Sequence, residues 1–172
     1  KCLKSSECTP DVIKQCEMVT ITGRGEALSL AITPSNTEAV YFLVNESKAD
    51  VNEALGVYQE TPLIIAAYYG TIKHQEIAEF LILHGANINA MKLTTHNTAL
   101  LTAIWKNNTD FAKLLLNHGA DPSMSATGRE EGRACKFAIN DGRSEIIPYI
   151  PGCCSLVALH PVWIRDVGYM CP

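Results

Sequence analysis

Residues 61–90 read TPLIIAAYYGTIKHQEIAEFLILHGANINA. Thr61 is placed as a helix N-cap, with Pro62 in the first helical position, where its missing N–H costs nothing. A short apolar helix follows and breaks at Gly70, and a second helix runs to Gly85. Such a hairpin cannot bury both its faces alone. A second copy stands at 98–121, TALLTAIWKNNTDFAKLLLNHGAD, with Thr98, Leu100, Ala103, Leu114, Leu115, Gly119 and Ala120 in equivalent places. Aligning on the small residue of the first helix gives Ala31, Ala66, Ala103 and Ala138, separated by 35, 37 and 35 residues. The chain therefore reads as a repeat array.

A period of this size fits both tetratricopeptide and ankyrin units, at about 34 and 33 residues. The motifs decide. TPL, then AA and Gly, then a Leu-rich helix closed by GAN or GAD resembles the ankyrin repeat. The resemblance is specific in the second and third units, weaker over 26–50 and 133–150, and covers about 125 of the 172 residues. It implies an all-α ankyrin-repeat solenoid of about four helix-turn-helix repeats (26–150) between atypical Cys-bearing caps (1–25 and 151–172), all within one domain of residues 1–172. The chain departs from the family in having Ser29, Ile64, Leu101 and Lys136 where the His of TPLH is common. That His ties neighbouring fingers together, so looser fingers are expected. Lys48 stands where a Gly should precede Ala49, and 71–76, TIKHQE, carries about three extra residues, expected to bulge between the helices.

The buried stripes of the second helices are read as Ala39, Phe42 and Leu43, then Ile77, Phe80 and Leu81. At the N-terminus Thr9, Pro10 and Asp11 start a cap helix with Val12, Ile13, Cys16 and Val19 on one face. In the fourth unit Pro148 and Pro151 end the second helix early.

The chain is 47% apolar and 19% charged, with a net charge of −4 and no block of like charge. Nucleic acid and anionic membrane surfaces, which demand clustered Lys and Arg, are not expected partners. No apolar run approaches the 18 or so residues of a membrane helix. No nucleophile elbow, HExxH or P-loop occurs, and the GRG at 23–25 lacks the rest of a dinucleotide fingerprint. No catalysis and no cofactor are expected. His84 and His118 precede Gly85 and Gly119, where an imidazole suits a helix C-terminus; His74, His96 and His160 read as surface residues.

The seven cysteines, Cys2, Cys8, Cys16, Cys135, Cys153, Cys154 and Cys171, leave the clearest repeats free of thiols. Their spacing does not suit structural zinc, and no metal is expected. Disulfide stapling of the ends fits an oxidising compartment, so a periplasmic or secreted location is expected, with Lys1 in the place of a mature N-terminus; Cys153 and Cys154 should take separate partners. A cytoplasmic adaptor or effector with reduced thiols, and a redox or metal-handling protein using the terminal cysteines, are the alternatives.

What remains is a surface. The ankyrin resemblance places Tyr68, Tyr69, Trp105 and Lys106 on the concave inner-helix face. Tyr and Trp join apolar area to a polar handle and few rotatable bonds, the properties of binding hot spots. It assigns Val57, Tyr58 and Glu60, then Thr94, Thr95 and Asn97, then Arg129, Glu130 and Glu131 to the fingers. The implied function is non-catalytic binding of a protein partner by a monomer. The chain is similar in kind to exported bacterial members of the family, among them a short cysteine-bearing periplasmic self-protection protein of a predatory bacterium that inhibits peptidoglycan peptidases, which implies an envelope enzyme as the partner.

Overall fold

The computed structural model describes residues 23–125, 128–129 and 133–155. Four helical hairpins follow one another: α1 (Arg24–Ile32) with α2 (Thr37–Asn45), α3 (Pro62–Tyr69) with α4 (Ile72–Leu83), α5 (Ala99–Trp105) with α6 (Thr109–Asn117), and α7 (Arg133–Asn140) with a 3-10 helix (Ser144–Tyr149). The first helices of the hairpins stack as an inner layer and the second members form the outer one. This is the all-α solenoid that the motifs imply. The cap helix expected from Thr9 lies outside the described residues.

Local sequence sets each hairpin. Thr61 and Thr98 cap α3 and α5, their hydroxyls accepting from the amides of Ile64 and Leu101, and Pro62 opens α3. Ala31, Ala66, Ala103 and Ala138 have no exposed surface, because their lack of bulk lets the inner helices approach closely. Four residues beyond each alanine the chain turns through the left-handed region, at Ser35 (φ 56°), Gly70 (63°), Asn107 (60°) and Gly142 (67°). The turn position is thus constant while its residue is not. Gly70 is further constrained: a Cβ there would fall 2.1 Å from the Asn108 amide nitrogen.

The outer helices bury the triplets Ala39, Val40, Leu43; Ile77, Ala78, Leu81; and Phe111, Ala112, Leu115. Two residues of each expected triplet are buried as read, and the third is exchanged. Phe42 and Phe80 lie at the margin of the core, and the smaller Val40 and Ala78 face the inner helices instead. Phe80 packs across the outer surface between Tyr41, with ring centroids 4.3 Å apart, and His84, at 4.0 Å.

The extra residues of the second repeat do not bulge. They lengthen α4 at its start: it has 12 residues, against 9 in α2 and 9 in α6. A helical extension satisfies its own backbone groups, which a loop in the same place could not do without water. The worn fourth repeat keeps its hairpin outline. Pro148 removes a donor, the second member stays 3-10, and Ile146 and Ile147 remain buried against α6 and α7.

Between hairpins the chain forms short antiparallel fingers. Leu55 bridges to Glu60, Lys92 N donates to Asn97 O at 3.0 Å, and β1 (Met124–Ser125) pairs with β2 (Gly128–Arg129). Side chains other than the missing His tie them together. Asn52 donates to Gly85 O at 2.9 Å and accepts from Asn87 N at 2.6 Å, and Asn89 accepts from Asp121 N at 2.9 Å. Lys92 meets Glu60 at 2.5 Å, and Leu93 N donates to Tyr58 O at 3.1 Å. These bonds join the fingers without the His of TPLH.

Cys135 on α7 is joined to Cys153, closing a separation of 18 residues around the fourth repeat. Cys154 is disulfide-bonded too. The vicinal pair therefore takes separate partners. Cys2, Cys8, Cys16 and Cys171 lie outside the described residues.

Two stability predictions follow from these ends. Exposed Lys48 holds a φ of 55° at the position that Gly85 and Gly119 fill in the next repeats. A side chain in that region costs energy that glycine does not, so Lys48→Gly is expected to stabilise the fold by about 0.5–1 kcal/mol, read as a raised thermal midpoint. Opening the Cys135–Cys153 bridge by Cys135→Ala is expected to destabilise by about 2–4 kcal/mol in chemical denaturation.

Candidate concave binding site

The last residues of α3 and α5 project side by side from the inner layer. Tyr68, Tyr69 and Trp105 are 38%, 42% and 44% exposed, so each ring keeps one surface in water and rests the other on the array. Tyr68 meets Tyr69 edge-on with centroids 5.3 Å apart, and meets Trp105 at 6.2 Å. Half-buried Lys106 turns back toward the second repeat, its ammonium 3.8 Å from the Tyr68 centroid and 4.4 Å from that of Trp105. The four residues assigned to this face by sequence thus form one cluster across two repeats.

The backbone beneath the cluster is held from the neighbouring repeat at each junction. Asn108 donates its amide to Ala67 O at 2.9 Å and reaches Tyr68 O at 3.5 Å. Arg143 Nη2 donates to Trp105 O at 3.0 Å. At the first junction His74 Nε2 lies 3.0 Å from Ile32 O, and Nδ1 lies 2.6 Å from the Thr71 hydroxyl. With Nε2 protonated, the imidazole donates to the carbonyl and accepts from Thr71. Its ring also stacks on Tyr69, with centroids 5.2 Å apart and planes 18° from parallel. His74 is 3% exposed. Its reading as a surface residue is therefore corrected: the added turn of α4 swings it over the end of α1. Burial holds its pKa below the ordinary value, against smaller opposing contributions from the Ile32 and Thr33 backbone. Sequence showed this His only as part of an insertion. His74, Asn108 and Arg143 share a trait that would have marked them, since each is a polar donor at the start of an outer helix.

His84 and His118 behave as expected, their Nδ1 atoms lying 2.8 Å from Phe80 O and 3.0 Å from Leu114 O at the ends of α4 and α6. The finger residues divide. Tyr58 is 57% exposed at a fingertip beside Val57, and Leu93, from the next finger, stands 64% exposed next to them. Leu93 was missed, though a lone leucine within the polar run 92–97 was its signal. Glu60 is half-buried and paired with Lys92. It serves the junction between fingers. Thr94 and Thr95 are exposed, and Asn97 is half-buried, with its amide on Thr95 Oγ1 at 3.4 Å. Arg129 lies on β2; Glu130 and Glu131 lie outside the described residues.

A helical-hairpin solenoid with a rigid aromatic cluster on its inner face belongs to the class of repeat proteins built to bind other macromolecules. The ankyrin-repeat family profile matches in three copies over residues 3–92 and 28–126. The chain belongs to the ankyrin-repeat family, and its repeats constitute a protein-interaction module. It is 31% identical over 118 residues to an ankyrin repeat protein of Rickettsia felis, covering 69% of this chain and 50% of that one. It is 33% identical over 108 residues to an ankyrin repeat protein of fowlpox virus, covering 59% of this chain and 29% of the viral one. The chain spans half or less of the length of these relatives. Among the described residues no helix is long and apolar enough to cross a membrane.

The buried imidazole makes the first junction sensitive to acid. The unfolded His74 takes up a proton near its usual pKa of about 6.5, whereas the folded one resists it. Its stability contribution is therefore complete above that pH and is lost as pH falls through it toward the lowered folded value. Urea denaturation should give a lower midpoint at pH 5.5 than at pH 7.5, and His74→Gln, which keeps a donor for Ile32 O, should flatten that difference. An equal pH response in the variant would assign the proton uptake to other groups.

Proposed function

We propose that this chain is an exported binding protein that holds an envelope enzyme against its concave face and inhibits it, without catalysis of its own. The observation that carries the reading is the cluster of Tyr68, Tyr69, Trp105 and Lys106, half-exposed and spread over two repeats whose junction is fixed by Asn108. Aromatic groups already ordered in the free protein lose little side-chain entropy on contact, so their buried area converts efficiently to affinity. The exposed fingertips at Tyr58 and Leu93 extend the contact surface beyond that cluster. Rigid grooves of this kind suit inhibition, because they exclude substrate by occupying the surface around a cleft.

The Cys135–Cys153 bridge and the bonded Cys154 support the assignment to a periplasmic or secreted compartment. A peptidoglycan peptidase is the envelope enzyme that the resemblance to self-protection members of the family suggests, with protection of the producing cell as the purpose.

The reading is tested with the native chain and a Tyr68→Ala, Tyr69→Ala, Trp105→Ala variant as parallel baits for separated envelope and cytosolic fractions of the source cell. The expected outcome is an envelope enzyme retained by the native chain alone, whose hydrolytic activity falls as the native chain is added. Each true hot-spot alanine should cost about 2 kcal/mol or more in calorimetric titration with that enzyme, with helicity unchanged by circular dichroism. A cytosolic partner held only by the native chain would replace export with an adaptor role. A partner held equally by both baits would move the site off the concave cluster.

A further inference from the structure

Lys106 differs from Lys92 and Lys113 in what it meets. Lys92 meets Glu60 and Lys113 meets Asp110, each a carboxylate, whereas the Lys106 ammonium lies over two aromatic faces and meets no carboxylate within 4.0 Å among the described residues. Asp141 occupies the position in the fourth unit that Lys106 fills in the third, three residues beyond the shared alanine, and the Lys106 ammonium lies instead over Tyr68 of the second. The rings of Tyr68 and Trp105, tilted by 56° and 6.2 Å apart, hold the cation between them. Ring faces attract an ammonium but take none of its hydrogen bonds in the way an acceptor oxygen does. The Lys106 N–H donors therefore remain for an incoming acceptor. The guanidinium of Arg143, anchored on Trp105 O, adds a second positive charge at the same edge of the cluster.

We infer that the concave cluster selects a partner segment that presents a carboxylate, an Asp or Glu side chain or a chain terminus, beside an apolar side chain. The carboxylate pairs with Lys106 while the apolar group covers Tyr68 and Tyr69. Charge complementarity favours this occupant over a basic one, since a cation arriving here would meet Lys106 and Arg143. It also favours it over a purely apolar one, which would strip water from the Lys106 ammonium and return no acceptor. The pairing would take place against two aromatic rings, with less screening than a pair fully in water. Ordering of Lys106 before contact removes part of the entropy that an exposed lysine ordinarily loses on pairing. This inference rests on the concave face being the binding surface.

The test uses a phage-displayed library of random peptides selected on the full-length native chain, with selected peptides synthesised and titrated calorimetrically. Binders that require Tyr68 and Trp105 are expected to carry Asp, Glu or the free terminus within one or two residues of an aliphatic or aromatic side chain. For these, Lys106→Met should weaken binding roughly tenfold and Lys106→Glu further. Raising salt should weaken binding by the native chain more than by Lys106→Met. Melting curves of the variants establish that the array is intact. Peptides that need Tyr68 and Trp105 but bind the native and Lys106→Met chains equally would overturn the inference and leave the concave site standing. A selection with no binder weakened by Tyr68→Ala and Trp105→Ala would overturn both.

Discussion

Each repeat in this array touches only its neighbours, so the shape of the whole depends on how one inner helix is held against the next. That hold is a polar one. At three successive junctions a side chain from the start of an outer helix or its equivalent reaches back to a carbonyl at the end of the preceding inner helix: His74 to Ile32, Asn108 to Ala67, and Arg143 to Trp105. The last carbonyls of a helix have no partner within it; Ile32 O also accepts from Ser35 N at 2.7 Å, so His74 adds a second bond there. Bonding these carbonyls from the next repeat fixes spacing and rotation together, which apolar contacts between alanine-lined helices cannot do, because those tolerate sliding. Three residue types achieve the same bond, and each needs only a donor of the right reach.

That variety explains what was legible in the sequence. The hairpins were, since Thr caps, Pro62, the alanines at matching positions and the GAN and GAD endings all act locally and recur. The concave cluster was legible too, through the ankyrin register that placed Tyr68, Tyr69, Trp105 and Lys106 on one face. The junction donors were not. A His, an Asn and an Arg share no pattern until the carbonyl each serves is known, and His74 looked like part of an added loop. The same holds for Glu60, whose partner Lys92 lies in the next finger. The exchange of Phe42 and Phe80 for Val40 and Ala78 in the outer stripe has a related cause: helical periodicity marks a face to within about one residue, and the close approach of two helices then favours the smaller neighbour.

The two ends of the described array differ in how they compensate for weak repeats. The first repeat keeps a full second helix and accepts Lys48 in a left-handed conformation where glycine would sit without strain. The fourth loses its second α-helix to Pro148 and is instead closed covalently from Cys135 to Cys153. A covalent closure restricts the unfolded chain of this weak repeat and so adds stability that its shortened second helix does not supply. Family-typical polar capping repeats would achieve this without cysteine.

The junction bonds and the aromatic cluster are not separate systems. The carbonyls that receive Asn108 and Arg143 belong to the segments that carry Tyr68 and Trp105, and His74 lies flat against Tyr69. Loosening a junction therefore moves a ring of the cluster, and pressing on a ring loads a junction. A surface built this way is ordered by the same hydrogen bonds that align the repeats, in addition to the ring and cation contacts within the cluster. It follows that the geometry of the cluster and the stability of the array are coupled most strongly at the second and third repeats, where the cluster spans the junction held by Asn108. At exposed Leu83, at the end of α4 away from His74, the coupling is weakest.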